Sequence, residues 1–208
     1  MWAVALTLGT CGLTKRQRLS GDARRTQLIE AAAPLILEQG HLPLSLDRLA
    51  SSIGASKALI YTYFPTQHEL FNAVLEKGFA ELGATGIADL ACGSASLADA
   101  ALRAARIYYR HVARNGPILH VILRDLYMSR ALSPEAAAAR DRMVTPLVRL
   151  IRRELRLNAN EAVAAFNLAV TLPEETGRLA WQGIIELDRG EALLDQLMAS
   201  TLKALRPA

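Results

Sequence analysis

A short predicted helix at residues 56–63 carries small, hydroxyl, basic and aromatic side chains that are suited to recognising another molecule. Its leucine and isoleucine face inward, which leaves Lys57, Tyr61 and Tyr63 available to an outside partner. An ammonium group and phenolic hydroxyls act through charge and hydrogen bonds. The chemistry that this helix suggests is therefore recognition, and the neighbouring elements indicate the partner.

Two short helices joined by a tight turn are predicted over residues 45–64, SLDRLASSIGASKALIYTYF. Ser45 is placed to cap the first helix, and Gly54 follows its end at a position suited to a positive φ. Ser56 is placed to cap the second helix. Two helices linked by a turn of about 3–4 residues that contains glycine form the geometry that places a recognition helix in the DNA major groove.

Predicted helices flank this unit on both sides. The preceding helix has its cap at Ser20 or Asp22 and ends before Gly40. Pro34 lies inside it and removes a backbone hydrogen bond, so we expect a bend over residues 30–34. The following helix is predicted to start at Pro65.

Residues 24–83 resemble the DNA-binding domain of the TetR family of bacterial transcription regulators. The matching segments are RRTQLIEAAAPLILEQG, SLDRLASSIGASKALIYTYF and PTQHELFNAVLE, with Gly54, Ser56-Lys57, Tyr61 and Phe64-Pro65 in register. This resemblance covers somewhat under a third of the chain. It implies contacts with double-stranded operator DNA, largely at phosphates, which set register without specifying sequence. The residues that it implicates are Arg24, Arg25, Ser45, Ser56, Lys57, Ala58, Leu59, Tyr61 and Tyr63.

The chain departs from the common family pattern within this domain. Ala58 stands where glycine is frequent, Tyr63 stands where histidine is often found, and Gln67 replaces a lysine that often contacts phosphate. Loss of that lysine lowers the expected slope of log affinity against log salt by about 0.9. Phe64 is predicted to lie in the core, because an aromatic residue at helical spacing usually packs there.

The composition favours an all-α chain, and the resemblance divides it into a three-helix DNA-binding domain with a helix-turn-helix and a larger helical ligand-binding and dimerisation domain. Of the 208 residues, 51% are hydrophobic and β-branched residues are sparse. The net charge is +4, and most of it lies in residues 15–68, as phosphate neutralisation requires. We predict a disordered or basic extension at 1–19, the DNA-binding domain at 20–66, and the regulatory and dimerisation domain at 67–208.

The N-terminal run MWAVALTLGTCG is a weak candidate for a secretory signal. No basic residue precedes it, its apolar core is short, and no later stretch reaches the ~20 apolar residues that span a bilayer. Cys11 and Cys92 have no metal-ligand spacing and are compatible with reduced thiols. We therefore expect a cytoplasmic, nucleoid-associated protein with no membrane partner, no cofactor and no metal.

Helical patterns continue beyond residue 84, and breakers such as Pro173 and Gly190 separate them. One face of the first of these helices carries four arginines, which favour a solvated surface over a pocket for an anionic ligand. His111 and His120 lie on adjoining helices, but two histidines without further ligands argue against a metal site. The predicted helices are 96–114, 117–130, 134–156, 160–172, 174–187 and 191–205, and the arginines are Arg103, Arg106, Arg110 and Arg114.

The family resemblance also implies a homodimer and a regulatory pocket. The last two long helices would form a four-helix bundle with those of a second copy, and the pocket would lie within about residues 96–185. Leu, Ile, Ala and Tyr in those helices suggest a small, largely apolar ligand. The candidate pocket residues are Tyr108, Val112, Ile122, Leu126 and Trp181, and the candidate interface residues are Leu179, Ile184, Leu194, Leu197 and Met198.

The leading interpretation is a homodimeric repressor that binds a palindromic operator and is released by a small-molecule effector. An activator or a ligand-independent regulator would use the same fold and is not separated from it by sequence. An all-helical enzyme or metal-binding module is the competing class. The chain has no glycine-rich phosphate loop, no Gly-x-Ser-x-Gly motif and no paired His–carboxylate spacing, so we predict that it is not an enzyme.

Overall fold

The computed structural model describes residues 20–93 and 96–204, and over these ranges the chain forms helices and turns without a strand. This confirms the predicted all-α class. The predicted extension at 1–19 and Leu205, where the last predicted helix ends, lie outside the described residues. The helices are α1 Gly21–Gln39, α2 Leu46–Ser52, α3 Lys57–Tyr63, α4 Gln67–Gly83, α5 Leu90–Gly93, α6 Leu97–Asn115, α7 Ile118–Arg124, α8 Pro134–Glu154, α9 Ala159–Trp181 and α10 Leu187–Ala204.

The first four helices begin at side-chain caps that the local sequence encodes. The hydroxyls of Ser20, Ser45, Ser56 and Thr66 each accept a hydrogen bond from the backbone N–H three residues later. Such a cap contributes about 1 kcal/mol to helix stability. The predicted caps at Ser45 and Ser56 are confirmed, whereas α4 starts at Gln67 rather than at Pro65 because Thr66 is the capping residue.

Three interior prolines, Pro34, Pro146 and Pro173, do not break their helices. α1 is continuous through Pro34, and α9 runs unbroken past Pro173, so the predicted division of α9 at that proline was wrong. The Thr176 hydroxyl donates to the Leu172 carbonyl at 2.7 Å, which adds a side-chain hydrogen bond at this point of α9. The chain turns instead at Gly183, whose φ of 69° few other residues adopt readily.

The helix that follows α6 is shorter than the apolar pattern of the sequence predicts. α7 ends at Arg124, and a 3₁₀ turn at Leu126–Met128 replaces the rest of the predicted helix. Asp125 separates the two, and its side chain accepts the backbone N–H of Tyr127 at 2.8 Å. An aspartate that bonds nearby backbone groups in this way competes with helix formation.

Close packing joins α6, α9 and α10. A Cβ at Gly177 of α9 would lie 2.8 Å from the Val112 Cβ and 3.0 Å from the Tyr109 carbonyl oxygen, so glycine lets the two backbones approach. On another face of α6, Tyr109 packs in a cluster with Ala105, Leu194 and Met198. No helix within the described ranges is both long enough and apolar enough to cross a membrane.

Candidate nucleic-acid interface

The core beneath α2 and α3 holds the predicted recognition helix in place. Leu49 of α2, Ile60 of α3 and Phe64 after α3 are all buried in one cluster with α1 and α4. The core position of Phe64 is therefore confirmed. Gly54 has a φ of 60° in the turn between α2 and α3, as the helix-turn-helix pattern predicts. Local caps and a shared core thus fix the orientation of α3.

The opposite face of α3 is open to solvent. Ser56, Lys57 and Ala58 are exposed, and 47% of Tyr61 is accessible. Leu59 and Tyr63 are half-buried, and Tyr63 packs against the core. Thr62 also lies on the exposed side, although the family pattern did not single it out. The structure therefore brings most of the predicted α3 contacts onto one accessible surface and leaves Tyr63 at its margin.

Lys57 has a weak intramolecular partner. Its Nζ lies 3.1 Å from Asp47 Oδ2, and both side chains are exposed. Ion pairs of this kind contribute about 0–1 kcal/mol because water screens them and side-chain entropy opposes them. The ammonium group can therefore exchange Asp47 for a phosphate oxygen at little cost.

The two predicted arginine contacts of α1 are held differently. Arg24 Nη1 donates to Gln27 Oε1 at 2.7 Å, so this side chain is directed along its own helix. The Arg25 guanidinium lies 5.1 Å from the centre of the Phe64 ring, in a cation–π contact at the end of α3. Arg48 on α2 is a further exposed cation, paired with Glu38 at 2.8 Å, and sequence reasoning did not select it.

Gln67, where the family pattern often has lysine, makes an internal contact. Its Oε1 accepts the Leu44 backbone N–H at 2.9 Å. The side chain thereby ties the start of α4 to the segment between α1 and α2. The Ser45 and Ser56 hydroxyl oxygens likewise accept the N–H of Arg48 and Leu59, while each hydroxyl hydrogen stays available to a partner.

A cavity of about 690 Å³ lies among α4 and α6–α9, with part of α10 at its wall. Of the candidate pocket residues, Tyr108 lines it. The other four lie elsewhere, because the helices that carry them turn those positions away from the cavity. Val112 packs on Gly177, Ile122 is buried in the core with α1 and α4, Leu126 is 88% exposed, and Trp181 lies beside Gly116 and is partly exposed.

Several polar groups meet in this mostly apolar cavity. The Tyr108 hydroxyl donates to Glu174 Oε2 at 3.4 Å, and His120 Nδ1 contacts Glu174 Oε1. Burial, reinforced by the Glu174 charge, raises the pKa of Tyr108, so the phenol stays protonated. Arg124 also lines the cavity. Sequence reasoning named Tyr108 and missed this cluster, because its members come from three helices.

His111 does not join His120. Its Nδ1 lies 3.1 Å from the Asn115 side-chain nitrogen, and burial lowers the pKa of the ring. Within the described residues no three His, Cys, Asp or Glu side chains form a group that could hold a metal ion.

One aspartate connects the cavity to the DNA-binding domain. Asp125 follows α7 directly, and its Oδ2 accepts the Leu42 backbone N–H, from the segment between α1 and α2, at 2.8 Å. Beside it, the rings of His68 and Tyr127 stack with centroids 4.3 Å apart. The Asn72 amide adds hydrogen bonds to the Ala131 carbonyl and the Ser133 N–H. No motif in the sequence signals these contacts between distant segments.

The arginine face of α6 binds α10. Arg106 donates two hydrogen bonds to Asp195, at 2.8 and 2.6 Å, and Arg110 donates two to Glu191, at 2.9 and 2.6 Å. Both side chains remain accessible to solvent and neither lines the cavity, so the favoured prediction of a solvated face holds, with ion pairs to α10 added to it. Bidentate pairs of this geometry fix α10 in register on α6.

The candidate dimer residues divide into two groups. Leu194 is 0% exposed, and Met198 is also buried; both pack on Tyr109 within one protomer, so they cannot contribute to an interface with a second copy. Ile184 is 67% exposed, Leu197 is partly exposed, and Leu179 is half-buried. The four-residue spacing of Leu194 and Met198 places both on the side of α10 that faces Tyr109, whereas Leu197 lies about 60° around the helix from Leu194, at the edge of that side.

Known proteins match the N-terminal part of this chain. Residues 28–74 match the family profile described as "Bacterial regulatory proteins, tetR family". The transcriptional activator FasR of Mycolicibacterium smegmatis is 35% identical over 66 residues, which are 32% of this chain and 30% of FasR. The transcriptional repressor SCO4008 of Streptomyces coelicolor is 36% identical over 61 residues, 29% of this chain and 32% of the repressor. The matched region thus spans about a third of these relatives.

Solved structures share the fold over most of the chain. A TetR-like regulator from Rhodococcus sp. RHA1 superposes with a TM-score of 0.64 at 21% identity, covering 89% of this chain and 99% of that one. FadR of Bacillus subtilis, solved with stearoyl-CoA, gives 0.60 at 14% identity, covering 83% and 96%.

Fold and sequence together define a helical protein with an N-terminal helix-turn-helix domain and a helical C-terminal domain. The N-terminal part of the chain is therefore a TetR-family DNA-binding domain. The relatives matched over this domain are named as HTH-type transcriptional regulators.

Proposed function

We propose that this protein is a homodimeric transcriptional repressor in the bacterial cytoplasm that binds a palindromic operator through α3 and is released by a small, largely apolar ligand. The observation that carries the proposal is the exposed face of α3, where Lys57 and Tyr61 stand on a buried helix-turn-helix core. The relatives include an activator and a repressor by name. A reporter driven by the protein's own promoter separates the two, because deletion of a repressor raises expression.

Removal of either leading contact on α3 is expected to weaken operator binding roughly tenfold, since a hydrogen bond to a charged group contributes about 1.5–3 kcal/mol. The variants are Lys57→Ala and Tyr61→Phe. Because phosphate contacts carry no sequence information, the loss should be similar for specific and non-specific DNA. For Lys57→Ala the slope of log affinity against log salt should also fall by about 0.9. Fluorescence anisotropy with a fragment of the protein's own promoter, from 50 to 200 mM salt, measures both.

Lys77→Ala is the matched control for charge. Lys77 is an exposed lysine of α4 whose Nζ lies 3.2 Å from Glu81 Oε1, so its loss changes the net charge equally without touching α3. Unchanged operator affinity in both α3 variants would show that Lys57 and Tyr61 do not contact DNA. An equal loss of affinity in Lys77→Ala would show the same. If the wild-type protein binds no fragment of its promoter region, the proposed function itself fails.

The proposed dimer rests on an apolar surface at the end of α9 and along α10. Ile184, Leu187, Leu193 and Leu197 are exposed on it. Single exposed apolar side chains are ordinary, but a group on consecutive elements indicates an interaction site. A second copy is the occupant that fits the function, since a two-fold dimer brings two α3 helices to half-sites about 34–36 Å apart.

Ile184→Asp is expected to shift the protein from dimer to monomer and to lower operator affinity at least tenfold, because a charge buried at an apolar interface without a partner opposes association. The protomer should keep its fold, since Ile184 lies on the surface. Sedimentation velocity measures the assembly. Leu126→Asp is the control, because Leu126 is as exposed but lies away from α9 and α10; dissociation by both variants, or by neither, would contradict the proposed surface.

The route from ligand to DNA is proposed to pass through α7. Leu119, His120, Leu123 and Arg124 of this helix line the cavity. The next residue, Asp125, holds the Leu42 N–H of the DNA-binding domain. A ligand that displaces α7 would therefore displace the support of α1 and α2. Such coupling is reciprocal, so operator DNA must weaken the ligand by the factor by which the ligand weakens DNA.

A further inference from the structure

We infer that the cavity takes an amphipathic anion, with its acid group between Arg124 and His120 on α7 and its apolar body among the side chains of α4, α6, α8 and α9. This rests on the proposed function, which requires a ligand site, and adds the chemical class of the ligand. It departs from the earlier expectation of a largely apolar effector by assigning the ligand a negative charge.

The two groups that would hold the acid lie on one face of one helix. His120 and Arg124 are four residues apart on α7, so their Cβ atoms lie about 5–6 Å from each other, and both side chains line the cavity. Arg124 is exposed and His120 is half-buried. The guanidinium is therefore the more accessible of the two groups.

The positive charge of Arg124 lacks an acidic partner in the described part of the chain. Arg124 forms no ion pair there with an aspartate or glutamate, whereas Arg140, which also lines the cavity, lies 2.8 Å from Asp141. A guanidinium carries a fork of donors that matches a carboxylate, and one without a partner beside an apolar cavity is suited to a ligand that supplies the acid.

The one carboxylate deep in the cavity wall is already engaged. Glu174 Oε1 contacts His120 Nδ1, and its Oε2 accepts the Tyr108 hydroxyl at 3.4 Å. A cationic ligand would have to displace these partners. The arrangement therefore favours an anion over a cation.

The remaining walls are apolar enough for the body of such a ligand. The volume of about 690 Å³ lies within the range of about 300–1,000 Å³ that small-molecule sites occupy. Aromatic and aliphatic side chains from four helices line it, including Phe79, Leu82, Leu97, Met143, Leu147 and Phe166. An acid group at one end of an apolar body matches this division of the surface.

Isothermal titration of the full-length protein with three probes tests the inference: dodecanoate, its methyl ester and dodecylammonium, each below the concentration at which it forms micelles. We expect dodecanoate to bind at least tenfold more tightly than the other two. Arg124→Gln should lower dodecanoate affinity about tenfold, which corresponds to the loss of one charge-assisted contact. Methyl ester affinity should stay unchanged in this variant, because no charge is involved.

Arg130→Gln is the matched control, since Arg130 is an exposed arginine that does not line the cavity. Tighter binding of dodecylammonium, an unchanged dodecanoate affinity in Arg124→Gln, or binding of none of the three probes would overturn the inference. Operator binding is measured on the same preparations. If the protein binds its operator but not dodecanoate, the inference of an anionic ligand fails and the proposed regulator stands. If it binds dodecanoate but no operator, the proposed regulator fails and the anionic ligand stands.

Discussion

Replacing Tyr109 with alanine is expected to lower the free energy of unfolding by about 3–5 kcal/mol, the usual cost of truncating a large buried aromatic side chain. Tyr109 is 0% exposed and packs between α6 and α10 against Ala105, Leu194 and Met198. Its hydroxyl donates to the Leu187 carbonyl at 2.6 Å, where α10 begins. Gly190 passes so close to the ring that a Cβ there would collide with the hydroxyl. Urea denaturation measures the change.

Tyr109→Ala should also weaken operator binding. With α10 loosened from α6, the proposed dimer surface is no longer held, so operator affinity should fall together with stability. Tyr109→Phe keeps the ring and removes the hydroxyl, so it loses the hydrogen bond to the Leu187 carbonyl at a cost of about 0.5–1.5 kcal/mol.

The adjacent tyrosine provides the matched control. Tyr108→Phe removes a longer hydrogen bond, 3.4 Å to Glu174, and should cost less than Tyr109→Phe. Equal losses in the two phenylalanine variants, or a Tyr109→Ala protein as stable as wild type, would show that α10 does not depend on this contact.

Replacing Asp125 with alanine is expected to uncouple the cavity from the DNA-binding domain. Coupling between sites is typically about 1–3 kcal/mol, or 5–150-fold, and the ratio of operator Kd with and without ligand should fall towards one. Asp125 accepts the backbone N–H groups of Leu42 and Tyr127, each at 2.8 Å. Each buried donor left unpaired costs about 1–3 kcal/mol. Operator titrations with and without dodecanoate measure the ratio.

Amide hydrogen exchange measures the effect of Asp125→Ala without a ligand. The Leu42 amide should exchange faster once its acceptor is lost, because Leu42 is buried and its N–H is directed at Asp125. Asp141→Ala is the control, since Asp141 is an exposed aspartate paired with Arg140 at the cavity. Unchanged Leu42 exchange, or an unchanged Kd ratio in a protein that still binds dodecanoate, would remove Asp125 from the route.

The helix-turn-helix domain was predictable because its signals are local. Ser45 and Ser56 cap helices that start at the next residue, and Gly54 marks the turn between them. Phe64 could be assigned to the core from its spacing alone. In α9 the same local reading failed at Pro173, since a proline weakens a helix but tertiary packing can hold it, whereas Gly183 ends the segment through its positive φ.

The sequence by itself determined the class of the fold, the family of the DNA-binding domain and the exposed face of α3, since helix propensity, caps and apolar spacing act over a few residues. Only the tertiary structure decided how the later helices use their side chains. Arg106 and Arg110 reach 89 and 81 residues along the chain to acids on α10, and Asp125 reaches 83 residues back to Leu42. Leu194 is buried where Leu197 is exposed. Periodicity shows that a helix has an apolar face, but the packed neighbours determine whether that face meets the core, a cavity or a second copy.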